Sequence, residues 1–347
     1  MDNVKLNKEI VESLKHWKEI VKKYQIPSTK KAVGQILNSF LPYIALWVLM
    51  YFSLRWSIFI TIGLGLINAF FLVRIFIIQH DCGHQSFTRS KRWNDIVGYT
   101  CSVFSALPYK YWARVHNFHH AHSGVLDTIE IGDIPTLTVN EYRNSSRWGK
   151  IRYRIWRNPI ITFIIAPIYY IGLSNRWPVF KFNNWKKEIV NQFKNNILII
   201  GIYVLLAYLL GWKQFLFVQL FLVFTFGIIA FWFFYIQHQH EHSYKQWKDN
   251  WNYVVSAVRG STYYKLPKIF QWMTGNIGIH HIHHLSSLIP NYNLEKCMKE
   301  NTILNKYVTV VTFWQSFKMI SHKLWDEERQ RMISFAEYYK IEKLRMA

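Results

Sequence analysis

Apolar residues along this chain gather in blocks rather than in alternating core patterns. The block from 36 to 54 is interrupted only near its start, by Asn38, Ser39 and Pro42. Past Arg55 a second block runs from 56 to 79, with Arg74 as its one charge. A third covers 197–210, turns at Gly211-Trp212-Lys213, and is followed by a fourth over 214–237. About twenty apolar residues cross a bilayer core as a helix. The pattern therefore predicts an all-α integral membrane protein with four transmembrane helices in two hairpins. Two shorter stretches, 96–107 and 159–173, contain or adjoin proline and predict interfacial or re-entrant helices. A tilted span over 159–173 is the alternative. Residues 1–35 form an N-terminal helical segment, 36–337 the membrane domain and 338–347 a tail.

Basic residues orient these spans. The hairpin turns carry one each, Arg55 and Lys213, whereas the loop from Asp81 to Asn196 carries many, among them Arg147, Lys150, Arg152, Arg154 and Arg157. Both termini are also rich in Lys and Arg. The expected arrangement has both termini and a loop-built cap in the cytoplasm. Net charge is +22, which asks for an anionic partner. With the basic residues beside apolar spans, and no nucleic-acid recognition signature, a phospholipid surface is favoured over nucleic acid. Cys82, Cys101 and Cys297 are scattered, so no disulfide framework is expected and the chain reads as reduced and cytoplasm-facing. The charged N-terminus has no apolar h-region and does not read as a signal peptide.

Of fifteen histidines, thirteen fall between residues 80 and 284. They form four clusters: HDCGH (His80, His84), HNFHHAH (His116, His119, His120, His122), HQHEH (His238, His240, His242) and HHIHH (His280, His281, His283, His284). Two hairpins that leave and return bring the first and third clusters to one membrane surface, with the second and fourth on the same side. An i, i+4 pair shares a helical face and can converge on one metal. Imidazole suits Zn, Cu, Fe and Ni alike, and so many histidines exceed what one ion can use. A two-metal site opening toward lipid suits redox chemistry on an apolar substrate.

HDCGH, HNFHH and HHIHH, in this order around two hairpins, resemble the histidine boxes of the membrane fatty acid desaturases, and more closely the bacterial acyl-lipid type. RIFIIQHDCGHQSF, GDIPTLTVNEY and HHIHHLSSLIPNYNLE carry the same character, and the resemblance spans about residues 32–337. It implies an oxygen-dependent desaturase that places a cis double bond in acyl chains of membrane phospholipids, in the bacterial cytoplasmic membrane. It also implies a non-haem centre of two Fe ions, with no catalytic side chain beyond the metal centre. The boxes map onto His80, His84, His116, His119, His120, His280, His283 and His284. His281 sits at a variable position. The family uses one more histidine beyond the fourth span. His238 is the choice here, since it follows the apolar run directly, as His80 does, and both follow Gln. His242, a helical turn on, is the reserve, while His240 points elsewhere if the helix continues. HDCGH has three intervening residues where animal acyl-CoA desaturases have four, which favours an acyl-lipid substrate. No HPGG haem motif occurs, so electrons are expected from an external ferredoxin or flavodoxin, steered by the basic face.

The same superfamily includes hydroxylases and carotenoid oxygenases, which share the boxes. A His-rich metal-binding or transport protein is a reading from another class. It would need polar groups along the spans, and these have almost none. Acids that could orient the ligands are Asp81, Asp127, Glu130, Asp133 and Glu241, with Asp81 favoured because it lies inside box one. Most such acids are solvated. Arg74 either pairs within its span or snorkels to headgroups. Asn276 either binds metal-held water or caps a helix. Trp251, Tyr263 and Tyr264 either line an acyl tunnel or sit at the membrane interface. Cys82 reads as packing. His238→Ala is expected to remove far more desaturated product than His240→Ala, read by fatty acid analysis of the lipids of an expressing host.

Overall fold

The computed structural model describes residues 3–128, 131–180 and 182–346. Four helices are long and apolar enough to cross a membrane: Thr29–Ser53, Ile58–Gly83, Lys186–Leu210 and Trp212–His238. The first packs on the second, the second on the fourth and the third on the fourth. Their shared core includes Met50, Leu72, Ile75, Leu222 and Phe226. Their outer faces leave large apolar side chains exposed, such as Phe59, Ile197, Val204 and Leu209. That is the arrangement expected where the surrounding solvent is hydrocarbon.

Several polar groups inside these helices make contacts with other segments. Asn68 donates to the Tyr43 carbonyl. Gln219 accepts from Trp47 and donates to Tyr203. Arg74 does not snorkel. Its guanidinium donates to Asn38 Oδ1 and to the Trp272 carbonyl, and lies 4.1 Å above the Trp272 ring. An unpaired polar group there would cost several kcal/mol in a low-dielectric setting, by the general ~2–7 kcal/mol scale.

The helices run beyond the apolar blocks. The third starts at Lys186 rather than near Ile197 because its polar first turns have tertiary partners. Gln192 donates to the Asn175 and Trp177 carbonyls. Asn195 accepts from the Tyr109 amide at 2.8 Å, which satisfies the start of helix Tyr109–His122. The stretch expected over 96–107 is the helix Lys91–Ser105, ended by Ala106 in the left-handed region at φ +57°. The 159–173 stretch is wound largely as π-turns over Ile161–Ile165 and Tyr169–Leu173. Phe163, Pro167 and Ile171 face inward while Ile160, Ile164 and Ile168 are exposed, a spacing of four that suits the wider π-turn.

An all-α description fails in one respect. Strand β1, Thr262–Lys265, pairs in parallel with β2, Thr309–Thr312. Strand β3, Leu324–Asp326, pairs antiparallel with β4, Arg331–Ile333. Strands β1 and β2 are mostly Thr, Tyr and Val, which suit a pleated, half-buried surface, but the partners are too far apart in sequence to signal their pairing. Residues before the first long helix pack inward as well. Ile10, Leu14, Val21 and Tyr24 join Val258, Ile282 and Leu294 in a second core. Near the other end, the helix Phe335–Met346 sets Tyr338 against Tyr142, and Glu342 pairs with Arg143 at 2.8 Å.

Gly98 marks where Lys91–Ser105 presses on the helix that follows. A Cβ there would run into the Tyr109 ring, whereas one at Gly63 meets nothing within 4 Å. Gly98→Ala should destabilise the fold by roughly 1–3 kcal/mol. Gly63→Ala should be neutral or mildly stabilising. Thermal melting of the detergent-solubilised proteins distinguishes the two.

Candidate metal centre

Two long helices end at the same place. The second carries His80 in its last turn, with His84 at its C-cap, and the fourth ends on His238. The helix Tyr109–His122 brings His116, His119 and His120, and the short helix His280–Leu285 brings His280, His283 and His284. Spacing of three and four residues divides each short helix between two directions. His116, His120 and His283 join His80 and His84, with ligand atoms all within 4.8 Å of one another. His119 joins His238 and His284 within the same limit. His280 completes this second set, its Nε2 3.0 Å from those of His238 and His284. The two sets adjoin, since the His120 and His284 rings stack at 4.2 Å.

The nitrogens of these rings cannot satisfy one another. A neutral imidazole nitrogen is either a donor or an acceptor. His120 Nε2 faces His116 at 3.1 Å and His283 at 3.0 Å. His238 Nε2 faces His119 at 3.3 Å and His280 at 3.0 Å. One N–H cannot serve two such neighbours, and His80 Nε2 and both His84 nitrogens are buried with no partner. Two nitrogens bound to one ion at about 2.1 Å stand roughly 3 to 3.4 Å apart, which matches these separations. The donor set therefore fits a cation in each group.

Burial keeps the rings in the form a metal requires. It pushes His84, His116, His120, His280, His283 and His284 well below the usual histidine range, and the neighbouring imidazoles add to the shift. Burial lowers His119 too, against the opposing pull of Asp133. These lone pairs are free at neutral pH.

One acid orients a ring directly. His80 Nδ1 lies 3.0 Å from Asp81 Oδ1, which leaves Nε2 facing the group. Asp81 Oδ2 accepts from the Asn291 backbone N–H at 2.6 Å and side-chain amide at 2.8 Å. The carboxylate thus sits at the N-terminus of helix Asn291–Glu300, where the helix dipole favours negative charge. Asn291 carries no signal in the sequence, because its partner lies far away along the chain. Asp133 Oδ2 stands 4.0 Å from His119 Nδ1.

Other candidates fall elsewhere. The fourth long helix stops at His238 and the chain turns away, so the helical spacing that made His242 the reserve does not exist, and His242 is exposed. His240 is not a surface residue. It is fully buried with both nitrogens unpartnered, and burial lowers it to about 3. His281 is buried and turned toward Asn305. Asn276 adopts φ +58° and gives its amide to the Asn291 carbonyl. Glu241 pairs with Arg331, and the exposed Asp127 accepts from the Lys248 amide. Glu130 lies outside the described residues. Tyr264 is buried between Trp232 and Ser316, while Tyr263 lies 6.2 Å from the His281 ring. Trp251 donates to the Ser123 carbonyl. Cys82 is core packing.

The family model for fatty acid desaturases matches residues 54–314, which include all the clustered histidines. A fatty acid desaturase of Bacillus subtilis (strain 168) is 45% identical over 309 residues, 89% of this chain and 87% of the relative. An sn-1 oleoyl-lipid 12-desaturase of Picosynechococcus sp. is 27% identical over 289 residues, 78% of each chain. A chloroplastic omega-6 fatty acid desaturase of Brassica napus is 25% identical over 334 residues, 91% of this chain and 67% of the relative. The chain belongs to the fatty acid desaturase family.

Proposed function

We propose that this protein is an oxygen-dependent desaturase that introduces a cis double bond into acyl chains of membrane lipids, using two iron ions held by histidine. The observation that carries the reading is the pair of adjoining imidazole sets, almost wholly buried and unable to satisfy themselves. His80, His84, His116, His120 and His283 would hold one ion. His119, His238, His280 and His284 would hold the other. The lipid-linked substrate is supported by the relative named as acting on an oleoyl-lipid. Termini and histidines on the cytoplasmic side are supported by the charge bias of the loops, and a bacterial cytoplasmic membrane by the bacterial relatives.

When bound, the irons with dioxygen and two external electrons supply the oxidising power to take hydrogens from two adjacent methylenes, which side-chain acid–base chemistry cannot do. The protein's part is positional. The box helices set the two groups side by side, Asp81 fixes the His80 tautomer, and apolar side chains around the cluster keep water out. Trp112 stacks on the His116 ring at 4.7 Å, and Phe76 packs edge-on against Trp112 and in turn on Phe226. A separate ferredoxin or flavodoxin is the proposed electron source, an acidic carrier that the basic loops would attract by charge.

Expression in a host lacking the activity, followed by lipid fatty acid analysis with and without oxygen, tests this. A new unsaturated chain in air and none under nitrogen is expected. No product in air, with the protein in the membrane and a reductase system supplied, refutes it. A hydroxylated product would move the protein to another reaction of the superfamily. Alanine at His84, His119 or His283 should bring product below detection. Chelation should abolish activity, and ferrous iron should restore it. Asp81→Asn should weaken iron retention about 10–100-fold, measured as iron per chain after dialysis.

A further inference from the structure

Two buried glutamines, Gln79 and Gln237, each precede a histidine of the cluster. Neither touches an imidazole. Gln79 Nε2 donates to the Leu107 carbonyl at 3.0 Å, and its Oε1 accepts from Ser105 Oγ at 2.7 Å. Ser105 Oγ in turn accepts from the Leu107 N–H at 3.3 Å. Both sides of the Leu107 peptide unit are thereby tied to one side chain on the second long helix. Leu107 lies in the short link, opened by Ala106 at φ +57°, that leads into helix Tyr109–His122. Gln237 Nε2 donates to the Ile277 carbonyl at 2.9 Å. Ile277 lies in the irregular link that leads into helix His280–Leu285, just after Gly275 and Asn276, both at positive φ.

The two arrangements have the same logic. Each link breaks regular structure, so its carbonyl has no helical or strand partner. Among the described residues no backbone N–H outside the regular elements reaches the Leu107 or Ile277 carbonyl. In a buried setting such a carbonyl needs a donor, and a glutamine at the end of a long helix supplies it. The bond pins the link that leads into a box-bearing helix to the residue immediately before His80 or His238.

We infer that Gln79 and Gln237 are positioning residues that set the spacing between histidines on the long helices and histidines on the short ones, and so shape the two metal positions. This rests on the proposed metal-binding reading. Gln79 governs how His116 and His120 meet His80 and His84. Gln237 governs how His280 and His284 meet His238. Each short helix also sends one ligand to the other group, His119 from the first and His283 from the second, so each glutamine acts on one group through two ligands and on the other through one.

The test uses the full chain in detergent, stripped of metal and titrated with Co(II), with the ligand-field absorption as readout. Gln79→Met and Gln237→Met keep the volume and remove the donor. Gln79→Glu and Gln237→Glu, neutral when buried, can still donate to the carbonyl. The unsubstituted chain is expected to take up two equivalents. Each Met variant should hold at least one equivalent about 10–100-fold more weakly, with a changed spectrum, and the ion on the group that receives two ligands from the affected helix should weaken the more. Each Glu variant should retain both. The inference is overturned if the Met variants bind both ions as the unsubstituted chain does. It is also overturned if Met and Glu variants lose metal equally, because the effect would then be one of packing. A Met variant too unstable to purify leaves its Glu partner to decide: two ions with the native spectrum support the inference, and a lost ion overturns it. An unsubstituted chain that takes up no metal would instead sink the metal-binding reading itself.

Discussion

Nine imidazoles packed together and almost wholly buried need something to share their lone pairs. The rest of the structure follows from that constraint. A neutral histidine brings one donor and one acceptor, and here several Nε2 atoms face two neighbours that compete for a single proton. For most of the rings burial opposes the simple remedy of protonation. A cation in each group would meet the demand, and the protein bears the cost of holding the rings together.

That cost is met by polar contacts placed where the helices end. Asp81 ties box one to the N-terminus of helix Asn291–Glu300. Asn195 caps the box-two helix from the third long helix. Gln79 and Gln237 reach the links ahead of boxes two and three. The residues ahead of the first long helix add apolar support behind the box-three helix, through Ile10 and Leu14 against the core that holds Ile282. Four distant segments are thus held to one another around the histidines by a few buried bonds, each costly to leave unmade.

Much of this was legible in the chain. The four long helices follow from apolar blocks, because a hydrocarbon solvent leaves few alternatives to a helix of that length. The clustered histidines follow from two blocks that both end in them. The errors have physical causes. Helix Lys186–Leu210 begins well before its apolar block because Gln192 and Asn195 have buried partners that composition does not reveal. Helical phase would turn His240 away from His238, but the helix ends at His238 and the phase argument ends with it. The pairing of β1 with β2 is invisible because neither strand can be recognised without the other.

The sequence by itself determined that apolar spans return histidines to one face, because hydrophobic length and histidine spacing are local properties of the chain. Which histidines share a group was decided only in three dimensions. His119 and His120 are neighbours in sequence, yet they serve different sets, since successive residues on a helix point about 100° apart. Asn291 and Leu107 matter for the same reason. Their roles are set by a carboxylate and an amide that only folding brings within hydrogen-bonding reach.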